Sequence, residues 1–102
     1  MKYVVGIIPP AALEMVQEAL GEAEIFRLTI SEVEVVPTAG EAPPGGLDRG
    51  LRLEIAVNDE FLVPTLAAFE RARGAGHPVT VSVLPLDDTV RIRTGERGPE
   101  AI

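Results

Sequence analysis

Two arginines near the end of the chain have the type and spacing to bind a polyphosphate. Arg91 and Arg93 alternate with Val90 and Ile92, which predicts a short strand with the apolar pair toward the core and both guanidinium groups on the other face. In an extended chain those groups lie roughly 7 Å apart, a separation suited to two oxygens of one phosphate chain. Residues 94–95, Thr-Gly, allow a tight turn with further amide donors. The alternative interpretation is a solvated edge strand, because arginine pairs are common on surfaces.

The overall composition limits the partners and the chemistry. With 102 residues, 46% of them hydrophobic, the chain is expected to form one domain over residues 1–102. Its net charge of −7 argues against nucleic acid or an anionic membrane as the main partner, although a small anion can bind where arginines cluster. One histidine and no cysteine argue against a metal site, and a reducing cytoplasm is the expected location. No apolar run is long enough for membrane insertion.

Hydrophobic periodicity predicts strands alternating with helices. Proline and glycine mark most of the boundaries, and Asn58 is a candidate cap for the second helix, whose first turn must accommodate Pro64. The apolar phase shifts between Ile30 and Val33, which predicts a bulge near residues 31–32. The predicted elements are strand 3–8, a helix from Leu13 to Gly21, strand 25–36, strand 51–57, a helix from Leu62 to Gly74, strand 79–83 and the arginine strand.

This order defines the expected fold. Two βαβ units with an extra terminal strand predict an α+β, ferredoxin-like double βαβ fold, in which one antiparallel sheet carries two helices on one face and a C-terminal strand closes the chain. Residues 37–50 are rich in glycine and proline and are expected to form a flexible loop between two strands. The fold itself names no function, because many activities share it.

Several sequence segments resemble the PII signal-transduction family. The ending R-I-R-T-G-E, followed by an acidic tail that finishes in Ala-Ile, is similar to the carboxy-terminal end of that family. The match continues in Ile7-Ile8, in V-x-E-A-L at 16–20 and in L-T-I-S-E-V at 28–33, and L-E-I-A-V at 53–57 stands where the family has I-E-I-V-V. The resemblance covers most of the chain and fails to align only in the two loops.

The resemblance implies a homotrimer that binds an adenine nucleotide in clefts between subunits and signals through the 37–50 loop to a target protein. The resemblance also implies a regulator and not an enzyme. Adenine and ribose would be held by Ile7, Leu28, Thr29, Glu54 and Ala56. The phosphates would be reached by Arg91, Arg93 and Thr94, the arginines coming from the neighbouring subunit, and Gly76 and His77 lie in the segment that aligns with the family's second binding loop. From the residues alone, Ile7, Thr29 and Glu54 need no ligand, and His77 reads as an exposed turn residue.

Departures from the family pattern change the expected ligand. The second loop of the family reads T-G-x-x-G-D-G-K, whereas residues 73–80 read R-G-A-G-H-P-V-T and lack its lysine. The family's glutamine that helps to bind magnesium and 2-oxoglutarate falls on Ala39, and its uridylylated tyrosine falls on Asp48. The resemblance therefore implies that the bound nucleotide is ADP or AMP, with ATP as a further candidate, and that no metal takes part. It points toward the divergent PII-like proteins associated with carboxysomes or bicarbonate transporters, with bicarbonate as a candidate effector.

Other classes of protein share the predicted fold. An acylphosphatase-type enzyme needs an arginine in the loop after the first strand, and residues 9–12, Pro-Pro-Ala-Ala, supply no charge. A CutA-type structural trimer or an ACT-type small-ligand module fits the fold equally well but does not explain the arginine strand. The sequence thus favours a nucleotide-sensing regulator of nitrogen or inorganic-carbon metabolism, with the CutA-type or ACT-type trimer as the alternative.

Overall fold

A computed structural model describes residues 1–40 and 48–102. Short 3-10 turns precede both helices, at Pro10–Ala12 and Asp59–Phe61, and another closes the chain at Gly98–Ala101. The regular elements of the described residues are β1 (Lys2–Ile8), α1 (Leu13–Glu22), β2 (Thr29–Val35), β3 (Asp48–Val57), α2 (Leu62–Gly74) and β4 (Thr80–Pro85).

The four strands form one antiparallel sheet in the order β2-β3-β1-β4. Val4 of β1 lies opposite Ile55 of β3 on one side and opposite Val83 of β4 on the other. Because neighbouring residues of a strand alternate between faces, this register places alternate residues of β1 and β3 against the two helices. The α+β, ferredoxin-like fold expected from the sequence is confirmed.

The hydrophobic core lies between the helices and one face of the sheet. Val4 and Ile8 come from β1, Leu53 and Ile55 from β3, and all four are almost fully buried. The helices contribute the apolar positions of their inner faces, among them Val16, Leu20, Ala68, Phe69 and Ala72. The core therefore holds the central strands in fixed register, and neither α1 nor α2 packs on the other face of the sheet.

The second helix accommodates its proline as the sequence predicts. Pro64 is the third residue of α2, where a missing amide hydrogen breaks no helical hydrogen bond. The hydroxyl of buried Thr65 donates to the carbonyl of Phe61 at 2.7 Å. Asn58 makes no side-chain cap, contrary to the prediction, because its amide donates instead to the carbonyl of Pro99 at 3.2 Å.

The strand predicted at 25–36 is shorter and has no bulge. Residues 25–28 lie outside it, and the amide of Ile25 donates to Leu20 at 2.9 Å as the chain leaves α1. From Thr29 opposite Glu54 to Val35 opposite Asp48 the pairing is uninterrupted. The apolar phase changes because Ile30 shares a face with Leu53 while Val33 and Val35 lie on the face without helices.

The predicted C-terminal strand is wrong. Residues 92–94 form a turn, and Val90 and Ile92, predicted to face the core, are 41% and 89% exposed. The segment bonds to itself: the Arg91 amide donates to Glu96 at 2.9 Å and the Gly95 amide donates to Arg91 at 2.7 Å. Gly95 has a φ of +77°, which allows this close turn where the prediction required an extended chain.

The predicted signalling loop overlaps the next strand. Residues 48–50 belong to β3, because Asp48, Arg49 and Gly50 pair with Val35, Glu34 and Val33. Residues 36–40 contain no helix or strand, and residues 41–47 of the predicted loop lie outside the described part of the chain. In that described part, no helix has the length and apolar character needed to cross a membrane.

Candidate functional site

A cleft of about 770 Å³ opens at one end of the sheet. Its floor comes from β3 and from Tyr3 of β1, and one wall is the irregular segment between α1 and β2. The opposite wall comes from the end of the chain, which the Asn58 bond to Pro99 attaches to the sheet. The lining residues are Tyr3, Glu24, Ile25, Phe26, Arg27, Leu28, Thr29, Glu54, Ala56, Val57, Asn58, Phe61, Thr89, Ala101 and Ile102.

Four of the predicted nucleotide-binding residues line this cleft. Leu28 and Thr29 come from the start of β2, and Glu54 and Ala56 come from β3. The strand register explains their convergence, because Thr29 lies directly opposite Glu54. Residues 54 and 56 share a face because side chains alternate along a strand, and this is the face of the sheet opposite the helices.

Ile7 lies on the same sheet face but does not line the cleft. Its partners across the sheet are Arg52 on β3 and Thr80 on β4. The direct neighbour of Glu54 on β1 is Val5. Ile7 therefore lies two residues farther along the strand, toward the far end of the sheet.

The two arginines do not share a strand face, contrary to the prediction. The Nε of Arg91 donates to the Ala101 carbonyl at 3.0 Å, and its Nη1 lies 3.9 Å from Glu96. Because Ala101 lines the cleft, Arg91 supports the outer side of the cleft wall. Arg93 is exposed in the turn, and the Thr94 hydroxyl donates to Glu96 at 2.9 Å.

The predicted loop contacts lie outside the cleft lining. Gly76 and His77 follow α2, where Gly76 adopts a φ of +95° and the His77 amide donates to the Ala72 carbonyl at 3.1 Å. These bonds end the helix and turn the chain toward β4. The side chain of Arg73, at the end of α2, is ion-paired with Glu70 at 2.7 Å.

A polar cluster on the cleft floor was not predicted. The Tyr3 hydroxyl donates to the Glu54 carboxylate, and Arg52 Nη2 lies 2.8 Å from the other oxygen of that group. The hydrogen bond to Glu54 raises the pKa of the Tyr3 phenol, and partial burial adds to the shift. Strand alternation could have placed Arg52 beside Glu54, but joining Tyr3 to them requires the register between β1 and β3.

Other cleft residues were also missed, namely Phe26, Arg27 and Thr89. The sequence pattern assigns residues 26–27 to a strand, whereas the structure places them in an irregular connection between α1 and β2. Among the described residues, no group of three histidine, aspartate or glutamate side chains is placed to hold a metal ion.

The described residues form a ferredoxin-like α+β fold in which one sheet face is covered by neither helix and a mixed polar and apolar cleft opens at one end. In its volume and its lining, this cleft resembles the sites where proteins bind small ligands. The sequence profile described as "Nitrogen regulatory protein P-II" matches residues 1–96. The chain belongs to the PII family of signal-transduction regulators.

Individual relatives agree with this assignment. The chain is 41% identical to Nitrogen regulatory protein GlnK1 of Methanosarcina mazei over 115 aligned positions, which cover all of this chain and 97% of that protein. It is 31% identical to Nitrogen regulatory protein P-II of Azospirillum brasilense, with full coverage of both. A third relative, Nitrogen regulatory protein P-II 2 of Methanothermobacter thermautotrophicus, is 30% identical, and the match covers this whole chain and 97% of that protein.

Proposed function

We propose that this protein is a non-enzymatic, PII-type regulator that binds an adenine nucleotide in the cleft and passes the signal to a partner protein. The observation that carries the proposal is the convergence of Leu28, Thr29, Glu54 and Ala56 on one cleft. A cleft of about 770 Å³ lies within the usual range for small-molecule sites. The family assignment supports the regulatory role.

The cleft has groups that match adenine and ribose. Adenine has an exocyclic amine that donates hydrogen bonds and ring nitrogens that accept them. The Glu54 carboxylate can accept from the amine while it stays bonded to Tyr3 and Arg52, because a carboxylate has about four acceptor positions. The Thr29 hydroxyl both donates and accepts, and Leu28 and Ala56 offer apolar surface for a ring.

The proposal includes a homotrimer. Arg93 is exposed and Arg91 lies behind the Ala101 wall, so neither lines the cleft of its own chain. A neighbouring subunit that brings its residues 91–94 to this cleft would supply the phosphate-binding cations, while Ile7 and residues 76–77 would contribute from the far end of the sheet. Trimer formation would complete a site that one chain builds only in part.

The preferred ligand in this proposal is ADP or AMP, with ATP bound more weakly and no metal required. The turn after α2 has no lysine, and Arg73 is engaged by Glu70. His77 is the only other basic side chain between residues 73 and 80. The third phosphate of ATP would therefore find few cations in this turn and would add little to the binding energy.

The partner is proposed to be an enzyme or transporter in the cytoplasm that contacts residues 37–50. The names of the family and of its relatives refer to nitrogen regulation, which favours a nitrogen pathway over an inorganic-carbon one. Bicarbonate as a second effector and a role beside carboxysomes stay predictions from the divergent loops.

Calorimetric titration with AMP, ADP and ATP tests the proposal. The parent protein should bind AMP or ADP without added magnesium. Because charge-assisted hydrogen bonds contribute about 1.5–3 kcal/mol each, the Arg91→Ala and Arg93→Ala variants should each bind ADP at least about tenfold more weakly. Arg71→Ala, which removes an arginine from the outer face of α2, is the matched control and should bind normally.

Two results would contradict the proposal. If the parent protein binds none of the three nucleotides, the cleft is not a nucleotide site, and a PII-family protein without nucleotide sensing becomes the better description. Tight magnesium-dependent ATP binding that 2-oxoglutarate strengthens would leave the site in place but show that the preference for ADP or AMP is wrong.

A further inference from the structure

The connection between α1 and β2 places an aromatic ring and a cation at the cleft. Phe26 and Arg27 both line it, and we call these two residues the 26–27 lip. The Phe26 side chain is 80% exposed, so its ring is accessible to a group bound in the cleft. Arg27 is also exposed, and within residues 1–40 and 48–102 it has no carboxylate at ion-pair distance.

The charges around the cleft leave Arg27 available for an anion. It is the one basic side chain among the described residues that line the cleft. Two acids line it as well, but the charge of Glu54 is offset by Arg52 and by the hydrogen bond from Tyr3. Glu24, which adopts a φ of +62°, is the remaining uncompensated acid of the lining.

The position of the lip relates it to the proposed base site. Arg27 and Phe26 immediately precede Leu28 and Thr29, the residues proposed to hold adenine. A group bound beside Thr29 and Glu54 would have its ring within reach of the Phe26 aromatic face and its charged end within reach of the Arg27 guanidinium. Aromatic side chains stack on nucleobases, and guanidinium groups bind phosphate oxygens.

We propose that the 26–27 lip binds the nucleotide from within the same subunit, with Arg27 on the first phosphate and Phe26 over the base. This inference rests on the proposed function and adds two ligand-binding residues to it. One phosphate is then held without the neighbouring subunit, and the neighbour's arginines act on phosphates beyond the first. A nucleoside monophosphate, which has only this first phosphate, can therefore bind in the cleft through contacts to a single subunit.

Titration of the full chain with AMP tests the lip. Arg27→Ala should weaken AMP binding about tenfold or more, because it removes a charge-assisted contact, and Arg27→Lys should restore part of the loss. Arg71→Ala is the charge-matched control, on α2 and outside the cleft lining, and should leave AMP binding unchanged. Phe26→Ala should weaken AMP and adenosine by similar factors, since it acts on the base. Glu24→Gln should strengthen AMP binding by removing a nearby negative charge.

The outcomes separate this inference from the proposed function. If the parent binds AMP or ADP and Arg27→Ala binds AMP as tightly as the parent, the lip is wrong while the nucleotide site stands. An equal loss in Arg71→Ala would also overturn the lip, because the effect would then come from net charge. If the parent binds none of AMP, ADP and ATP, the proposed function and the lip fail together, whereas binding of ATP alone would overturn only the lip. All these substitutions are at exposed positions, and circular dichroism checks that each variant is folded.

Discussion

Glu54 is the residue on which the chemistry of the cleft floor depends. Its carboxylate accepts a hydrogen bond from Tyr3, one strand away, and forms an ion pair with Arg52 at 2.8 Å. These contacts fix the direction of the carboxylate before any ligand arrives. Fixed polar groups bind a ligand with less loss of conformational entropy than mobile ones, so Tyr3 is expected to act on binding by positioning Glu54.

The Tyr3–Glu54 bond predicts a pH-dependent difference in stability. The pKa of Tyr3 is raised in the folded protein, so folding favours the neutral phenol. The stabilisation is fully present below the unfolded pKa of about 10 and is lost as the pH rises through the higher folded pKa. Tyr3→Phe should lower the free energy of unfolding at neutral pH by about 0.5–1 kcal/mol, the low end for a hydrogen bond, since the site is partly exposed to solvent.

Spectroscopy can check this expectation directly. The chain has one tyrosine, so phenolate absorbance in a pH titration reports Tyr3 alone. The midpoint should lie above the ordinary value and return toward it in Glu54→Gln. Urea unfolding should show the difference between parent and Tyr3→Phe shrinking at strongly alkaline pH. A normal midpoint in the parent protein would show that the bond does not form in solution.

At the scale of the secondary-structure elements, the contact of β1 with α2 depends on a glycine. Gly6 is buried in the middle of β1, and a Cβ atom at this position would overlap the ring of Phe69. The absent side chain lets the fully buried ring lie directly on the strand backbone. Close helix-to-strand packing at this point helps to hold β1 in register with β3, and hence Tyr3 near Glu54.

This packing predicts opposite effects for two glycine substitutions. Gly6→Ala should destabilise the protein by about 1–3 kcal/mol through overpacking. Gly21→Ala, in α1 where a Cβ would meet nothing within 4 Å, should stabilise it by up to about 1 kcal/mol through helix propensity. Thermal unfolding of both variants measures the difference. A neutral Gly6→Ala would mean that Phe69 moves freely, and Gly6→Ala combined with Phe69→Leu should recover part of the loss.

Elements that bury an apolar face against the core were easier to predict from the sequence than segments shaped by local backbone hydrogen bonds. Helices α1 and α2 and strands β1 and β3 were predictable because their apolar periodicity matches the face that they bury. The C-terminal turn was not predictable, because residues 90–93 alternate in polarity like a strand. The Gly95 amide instead donates to the Arg91 carbonyl and closes a local turn. The predicted bulge was wrong because the prediction took every apolar residue of β2 to face the core. Val33 and Val35 instead lie on the face without helices, so the change of apolar phase needs no break in the pairing.

The cleft residues also fall into two groups, those that the sequence identified and those that it did not. Leu28, Thr29, Glu54 and Ala56 were identified through family resemblance, and the β2–β3 register brings them together. Tyr3 and Arg27 have no local sequence signal for a ligand. Tyr3 reaches the cleft through pairing between strands distant in sequence, and Arg27 reaches it through an irregular turn.

At the scale of the whole molecule, the face of the sheet without helices leaves apolar surface exposed. Leu84 of β4, which lies beside Tyr3 on that face, is 45% exposed, and Ile92 in the C-terminal turn is 89% exposed. Val35 and Val36 near the end of β2 are also exposed. Leu84 and Val35 therefore leave apolar surface on the uncovered sheet face, and the proposed trimer would cover it.

The trimer gives the final prediction, which connects assembly with binding. Light scattering after size-exclusion chromatography should give three times the mass of one chain at micromolar concentration. Leu84→Arg places a charge on the uncovered sheet face and should shift the protein toward monomer, because burying an unpaired charge is costly. Val63→Arg, a substitution on α2 where the parent side chain is 75% exposed, is the matched control and should remain trimeric.

Binding measured on the same samples decides whether the site is shared between subunits. If Arg91 and Arg93 act from a neighbouring chain, monomeric Leu84→Arg should lose most of its ADP affinity, whereas AMP, held in part by Arg27 of the same chain, should lose less. Val63→Arg should bind both nucleotides like the parent. A monomeric parent that binds ADP tightly would disprove the shared site, because the arginines would then have to act within one chain, where they do not line the cleft.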